Sequence, residues 1–277
     1  MDCYEYEIIH TTENPILKNV DVSIVLAMKG NNRFVRDPFI LNLTKTTIIQ
    51  WNTGFKKCKK HPSIKTASAD IIHAYETAFI YSKKYDNVII FEDDAIVINK
   101  ELCIYKKIDK FIENESFHIN EAILSFGSGG IFKTYNNDFL KFDHSLFPLG
   151  GAQGTIFSRS SRNILLSQFN KGYNFGQIDN DYIGYLDNIF TYKYPLIVQL
   201  YPESENSKTW FPNSHPIISS FLRFSLMTYF KILNLHIKPN GWNLFYFINR
   251  DIGRMTIYLL ILLIILLFYN KTNIISL

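Results

Sequence analysis

Residues 88–97 read VIIFEDDAIV, and this stretch decides the predicted fold. Val88–Phe91 is a short, uninterrupted apolar run, which is typical of a strand buried on both faces of a sheet. Glu92, Asp93 and Asp94 follow at once. Three carboxylates cannot be buried within such a strand, so we expect them at its carboxyl end, near solvent or a cation. Ligands of open α/β sheets bind outside the carboxyl ends of the strands, so this stretch predicts a binding site.

The segments on either side alternate between strand patterns and helix patterns. Further strands are predicted at Val20–Met28, Thr46–Trp51, Ala122–Phe126, Thr155–Phe157 and Pro195–Leu200. Helices are predicted at Ser63–Lys84, Cys103–Ile112 and Ser160–Phe169. This alternation predicts an α/β domain with a mostly parallel central sheet.

Composition limits the classes of function. The chain has 277 residues and a net charge of +4, a mild excess that does not predict a nucleic-acid-binding protein. Its cysteines are Cys3, Cys58 and Cys103, an odd number without a CxxC pair. We therefore expect reduced thiols, with neither a disulfide framework nor a zinc site. Lys56–Lys60 (KKCKK) predicts a solvated basic loop.

The C-terminal region has a different character. Residues 216–240 predict an apolar helix that either packs on the domain or lies on a membrane surface. Met255–Tyr269 is almost entirely apolar, and Arg250 and Arg254 precede it. This run predicts a single membrane anchor, with a buried core helix as the alternative. The anchor would make the protein membrane-associated, and we expect the folded domain to face the cytoplasm.

The acidic cluster, residues 92–94, predicts a divalent-cation site. Adjacent carboxylates repel one another unless a positive charge is present. Mg²⁺ or Mn²⁺ typically engages one or two carboxylates together with substrate phosphates. A nucleotidyltransferase, a phosphohydrolase and a kinase-like enzyme fit the same pattern, and so does a solvated acidic turn. The glycine-rich stretches 127–130 (GSGG) and 150–154 (GGAQG) lack a phosphate-loop lysine and are typical of turns.

The order of segments over roughly residues 20–210 resembles glycosyltransferase family 25, which includes lipooligosaccharide and collagen galactosyltransferases. The motif Phe91-Glu92-Asp93-Asp94 is similar to the family's strand ending in Glu-Asp-Asp. Later elements are similar at residues 154–158 (GTIFS), at Ile178-Asp179 and at residues 195–199. Leu26 stands where the family has an asparagine, so details of donor recognition differ. The resemblance implies a GT-A-like fold, a nucleotide-sugar donor, often UDP-galactose, Mn²⁺ or Mg²⁺, and inversion at the anomeric carbon.

The resemblance also implies roles for particular residues. Asp94 is the expected metal ligand, with Glu92 or Asp93 as the second ligand or as a donor contact. Further donor contacts are expected from Lys29, Arg33 and His73. Asp179 is the expected general base and Asp181 the next candidate. Each residue also has an alternative without a functional role. Lys29 and Arg33 would be exposed loop charges, His73 would be a histidine packed near the sheet, and residues 177–181 would form a solvated turn.

The expected organisation is then a glycosyltransferase domain at 1–213, a hydrophobic helical segment at 214–250 and an anchor at 251–277. The reaction would move galactose or a similar hexose to a glycan, lipid or protein acceptor. A metal-dependent phosphohydrolase or nucleotidyltransferase, or a non-catalytic membrane-tethered module of the same fold, are the other functions that this sequence allows.

Overall fold

A computed structural model describes residues 3–30, 37–117, 119–127, 132–143, 153–169, 178–181, 183–199 and 216–235. The strands are β1 (Tyr4–Thr11), β2 (Val22–Met28), β3 (Thr46–Asn52), β4 (Asn87–Glu92), β5 (Ala95–Val97), β6 (Ala122–Ser125), β7 (Phe132–Thr134), β8 (Phe139–Phe142), β9 (Thr155–Ser158), β10 (Asn188–Tyr192) and β11 (Ile197–Gln199). The helices are α1 (Pro38–Leu41), α2 (Ala67–Tyr81), α3 (Leu102–Asn114), α4 (Arg159–Phe169), α5 (Ile178–Asp181) and α6 (Pro216–Ile232). A 3₁₀ turn covers Ile183–Tyr185. The chain is an α/β protein, as the sequence predicts.

Nine strands form one large sheet in the order β1-β3-β2-β4-β9-β6-β10-β8-β7. The prediction of a mostly parallel sheet is wrong. Only β3–β2, β2–β4 and β6–β10 pair in parallel, and the other five neighbouring pairs are antiparallel. The reason is that β9 inserts antiparallel between β4 and β6, while β1, β8 and β7 add antiparallel strands toward the two edges. The GT-A form of this fold class stays a prediction.

Alternating side chains of the sheet fill two separate cores. Ile89 and Phe91 of β4 belong to a core that also contains Ile104 and Ile108 of α3. Val88 and Ile90 belong to the opposite core with residues of α2 and α4. Residues 88–91 are all fully buried, which confirms the prediction that this strand is covered on both faces.

Helix α2 covers the strands that lead to the acidic cluster. Thr66 is its N-cap, and the Thr66 hydroxyl accepts a hydrogen bond from the Ala69 backbone N–H at 3.1 Å. This cap satisfies a backbone donor that the helix cannot satisfy itself. The helix then buries Ile72, Tyr75 and Phe79 against the sheet. The position of Tyr75 in the fold is therefore set by the start of the helix and by its apolar face.

A second, two-stranded sheet pairs β5 with β11, so residues 195–199 contribute to this small sheet rather than to the central one. Helix α6 packs on it, with Met227, Phe230 and Val198 in one small core. Within the part of the chain that the structure describes, no helix is long and apolar enough to cross a membrane. The predicted anchor at 251–277 lies outside the described residues.

A disulfide joins Cys3 to Cys58, so the prediction of reduced thiols without a disulfide is wrong. Tyr4 pairs with Asn52 in the β1–β3 ladder, and this pairing brings residue 3 beside the loop that follows β3. Cysteines scattered in the sequence are thus neighbours in space. Cys103 is free and exposed.

Candidate active site at the end of the central strand

The acidic cluster lies at the carboxyl end of β4. Glu92 is the last residue of that strand, and Asp93 and Asp94 form a turn before β5 begins at Ala95. Leu26 of β2 pairs with Glu92, so the carboxyl end of the neighbouring parallel strand lies at the same edge of the sheet. All three acidic residues are partly exposed. The carboxylates thus lie where ligands bind in open α/β sheets.

Glu92 is the most perturbed carboxyl group of this cluster. The fully buried Tyr75 donates its hydroxyl to Glu92 Oε1 at 3.4 Å. The pKa of Glu92 is raised to about 8, first by burial and then by the negative charges of Asp94, Asp179 and Asp93. The hydrogen bond from Tyr75 acts in the opposite direction and does not offset these effects. The fold therefore concentrates negative charge at this point.

Asp179 reaches this acidic cluster from a distant part of the sequence. It lies on the single turn α5, whose Ile178 is buried in the core that includes α2. The charge of Asp179 raises the pKa of both Glu92 and Tyr75, after the effect of burial in each case. The predicted base is thus close enough to the predicted metal ligands for its charge to act on Glu92. Asp181 ends the same turn.

Of the two basic residues predicted to contact the nucleotide-sugar donor, the structure describes Lys29. Lys29 directly follows β2, at the same edge of the sheet as the acidic cluster. Its Nζ atom lies 2.5 Å from Glu5 Oε1, and about half of each side chain is exposed, at 51% and 56%. Lys29 is therefore accessible to a ligand that competes with Glu5. Arg33 lies outside the described residues.

His73 belongs to a second polar group. In the strand order β1-β3-β2-β4, this group lies toward β1, whereas the acidic cluster lies at the end of β4. Its Nδ1 atom is 2.7 Å from the Tyr4 hydroxyl, which also accepts a hydrogen bond from Lys60 Nζ at 2.9 Å. The pKa of His73 is lowered to about 4, mainly by burial and then by the charge of Lys60. The described contacts of His73 thus connect it to β1, and its role as a donor contact stays a prediction.

Lys60 is the centre of this second polar group, and the prediction that all of residues 56–60 form a solvated loop is wrong for it. Only 1% of its side chain is exposed, and it forms an ion pair with Asp70. It also donates to Asn52 Oδ1 at 2.6 Å. Burial lowers the pKa of Lys60, while Asp70 acts in the opposite direction. Lys57 and Lys59 are exposed as predicted, and nothing in the sequence KKCKK distinguishes Lys60 from them.

Two glycines allow the β5–β11 sheet to lie close to the end of the central sheet. A Cβ atom on Gly127 would be 1.9 Å from the Ile197 carbonyl oxygen. Gly154 has a φ of +60°, and a Cβ atom there would be 3.0 Å from the Phe91 ring. These glycines of the GSGG and GGAQG stretches are needed for close backbone packing beside the site.

The residues of the acidic cluster fit a cation that a ligand helps to hold. Among the described residues, no group of three or more His, Cys, Asp and Glu side chains is arranged to bind a metal ion. Mg²⁺ and Mn²⁺ bound with a nucleotide need only one or two carboxylates, because phosphate oxygens and water complete the coordination. Burial and then the charges of Asp94, Asp179 and Asp93 raise the pKa of Glu92, and a cation bound beside these carboxylates would offset both effects.

Comparisons with known proteins do not identify a family. No protein-family model and no curated protein matches the chain. A solved structure described as A197 from STIV aligns with 67% of this chain and 87% of that chain. Its sequence identity is 11% and its TM-score is 0.37. A similarity at this level carries no inference about fold or function.

Proposed function

We propose that this chain is a glycosyltransferase that moves a hexose from a nucleotide-sugar donor, with UDP-sugars as the first class to test. The observation that carries the proposal is the convergence of Glu92, Asp93 and Asp94 with Asp179 at the end of a central, doubly covered strand. Such a transfer needs carboxylates that hold a cation and a carboxylate that accepts a proton, and the acidic cluster and Asp179 are our candidates for these two roles. The resemblance to glycosyltransferase family 25 supports the same assignment.

Asp94 and Glu92 would hold Mn²⁺ or Mg²⁺ against the donor diphosphate. The cation would supply positive charge that offsets the charge developing on the departing nucleotide. A metal-free Glu92 with a pKa near 8 is largely protonated at neutral pH, so binding of the cation would release that proton. Lys29, with Arg33 and His73, would contact the donor.

Asp179 would act as the general base on the acceptor. It would accept the proton of an acceptor hydroxyl while the hydroxyl oxygen forms a bond to the anomeric carbon. The bond from that carbon to the phosphate oxygen breaks in the same displacement, and the electron pair leaves with the nucleotide. A single displacement through an oxocarbenium-like state inverts the anomeric carbon. The acceptor would be a glycan, a lipid or a protein.

The decisive test is Asp94→Asn in the full chain, assayed for UDP-sugar transfer and for a rise in melting temperature with UDP and Mn²⁺. We expect both to be lost while the variant stays folded. Asp86→Asn is the matched control, because Asp86 directly precedes β4 at its other end and pairs with Arg159 on the surface. Exposed pairs of this kind contribute little to stability.

Three results would contradict the proposal. Undiminished transfer by Asp94→Asn would show that this residue does not hold the metal. Cleavage of the UDP-sugar to UMP and a sugar phosphate, without any transferred sugar, would favour a metal-dependent phosphohydrolase, and release of pyrophosphate from a nucleoside triphosphate would favour a nucleotidyltransferase. Absence of any response of the unaltered chain to UDP, to UDP-sugars and to Mn²⁺ would favour a non-catalytic module.

A further inference from the structure

Helix α6 has two apolar faces, one packed against the small sheet and one largely exposed. Met227 and Phe230 are buried, with exposures of 7% and 4%, against Val198 of β11 and next to Ile96 of β5. The other face exposes four large apolar side chains at 68–74%. These are Ile217, Phe221, Phe224 and Ile232, and we call them the α6 stripe.

The α6 stripe runs along the whole helix. Its members recur at intervals of four, three and eight residues, which places them on one side of an α-helix. From Ile217 to Ile232 the stripe is about 22 Å long at 1.5 Å per residue. The exposed Thr228 lies on the same side between Phe224 and Ile232, so the stripe is interrupted once. Exposed apolar residues scattered singly are ordinary, whereas four on one side of a helix mark an interaction surface.

The charge around the stripe indicates its partner. Helix α6 contains Arg223 and Lys231 and no acidic residue. From residue 216 to residue 254 the sequence has five basic residues and one acidic residue, Asp251. The basic residues are Arg223, Lys231, Lys238, Arg250 and Arg254. This stretch of sequence is therefore basic, and anionic lipid headgroups are complementary to it.

We propose that α6 lies in the plane of a lipid bilayer surface, with the α6 stripe inserted among the headgroups and upper acyl chains. Interfacial helices combine such an apolar face with basic residues, and phenylalanine is common on their buried side. The apolar run Met255–Tyr269 follows in the sequence. Both segments would then engage the same membrane, one in its plane and one by insertion.

This docking has a consequence for the acceptor, which rests on the proposed function. The packed face of α6 contacts β5, and β5 begins at the residue that follows Asp94. A bilayer held against the opposite face of α6 would therefore be separated from β5 by the thickness of one helix, roughly 10 Å. The acceptor class that this arrangement favours is a hydroxyl on a lipid-linked or membrane-anchored molecule.

The test uses the full chain carrying Cys103→Ser, in which the only remaining cysteines form the disulfide. Phe224→Cys is added in one variant and Ile119→Cys in another, and each new thiol is labelled with an environment-sensitive fluorophore. Ile119 is the matched control, because it is 69% exposed, as is Phe224, but lies outside α6. Vesicles are phosphatidylcholine, with and without phosphatidylglycerol.

We expect the label at position 224 to brighten and shift to the blue with vesicles, more strongly with phosphatidylglycerol, while the label at 119 does not respond. The proposal is overturned if position 224 shows no shift on vesicles that carry the bound chain, or if the chain does not bind vesicles. It is equally overturned if the shift depends on protein concentration without vesicles, which would indicate self-association.

A second variant links docking to the reaction. Phe221→Ser combined with Phe224→Ser should reduce transfer to a lipid-linked acceptor in vesicles by about tenfold or more, because two inserted side chains are lost. Transfer to a soluble acceptor, and the response of the melting temperature to UDP and Mn²⁺ without vesicles, should be unchanged. If the melting temperature of the unaltered chain does not rise with UDP and Mn²⁺, that result would count against the proposed function and not against the membrane docking of α6.

Discussion

Among single residues, Glu92 shows most directly how the surroundings change a side chain's chemistry. A carboxyl group in water has lost its proton well below neutral pH, but here burial and three neighbouring carboxylates raise the pKa to about 8. The folded, metal-free protein therefore holds this proton across a pH range in which the unfolded chain has released it. Stability is linked to pH through this difference.

The sign of that link gives a prediction for Glu92→Gln. The folded pKa lies above the ordinary value of 4.5, so the free energy of unfolding of the metal-free protein falls as pH rises from about 4.5 to about 8. The introduced amide does not titrate, so the variant should gain in melting temperature relative to the unaltered protein over that range. Mn²⁺ with UDP should make the melting temperatures of the variant and the unaltered protein depend on pH more similarly. If the two melting temperatures change with pH by the same amount in the metal-free proteins, the raised pKa of Glu92 would be contradicted.

Asp179 carries a kinetic prediction at the same scale. Asp179→Asn keeps the shape of the side chain and removes its ability to accept a proton, so kcat should fall by about 10²–10⁴-fold. The response of the melting temperature to UDP and Mn²⁺ should persist, in contrast to Asp94→Asn. Asp187→Asn is a suitable control, since Asp187 is an exposed carboxylate beyond the 3₁₀ turn. Equal loss of nucleotide binding in Asp179→Asn would place this residue among the metal ligands.

Among the elements, those with long apolar or periodic patterns were predictable from the sequence. Helix α2 and strands β2, β3 and β4 lie where the patterns place them, within a few residues. The strands β1, β5, β7, β8 and β10 were not predicted. Residues 4–8 (YEYEI) do alternate apolar and charged side chains, a local strand pattern that the prediction did not use. Residues 132–142 form a short hairpin whose pairing depends on β10, so its strand character comes from long-range pairing rather than from local preference.

The β5–β11 sheet leads to a prediction about backbone packing. Gly127→Ala should lower the free energy of unfolding by about 3 kcal/mol, because the new Cβ atom would meet a backbone carbonyl that cannot move alone. Gly30→Ala is the control, since Gly30 has a φ of +83° but open space around it. Gly30→Ala should lower the free energy of unfolding by only about 1 kcal/mol, because alanine is disfavoured in the left-handed backbone conformation of this residue. Equal losses in urea unfolding would argue against the close approach of β11.

For the whole molecule, the sequence predicted the acidic cluster itself. It did not predict which residues from distant parts of the chain pack around that cluster or form the second polar group. The acidic cluster was visible because its carboxylates follow one apolar strand. The approach of Asp179 depends on the packing of α5 against α2, which no local pattern contains. The Lys60, Asp70 and Asn52 group was missed for the same reason. Its members come from the loop after β3, the start of α2 and the end of β3, and they meet only when α2 packs on the sheet.

The disulfide gives a prediction for overall stability. Cys58→Ser should lower the free energy of unfolding by about 2–4 kcal/mol, since the disulfide constrains two cysteines 55 residues apart in the unfolded chain. Treatment of the unaltered protein with a reductant should have the same effect. Cys103→Ser, at an exposed free thiol, should change stability by less than about 0.5 kcal/mol. Identical denaturant midpoints with and without reductant would contradict the disulfide's contribution.

The bond between Cys3 and Cys58 also bears on how the protein is prepared. A bacterial cytosol keeps thiols reduced, whereas the periplasm and secretory compartments oxidise them. Recombinant chain from the cytosol would retain two free thiols beside the buried Lys60 and Asp70 pair, and chain exported or refolded with an oxidant would be crosslinked. Preparations of identical sequence should therefore melt at different temperatures, and assays of nucleotide binding belong on the oxidised form.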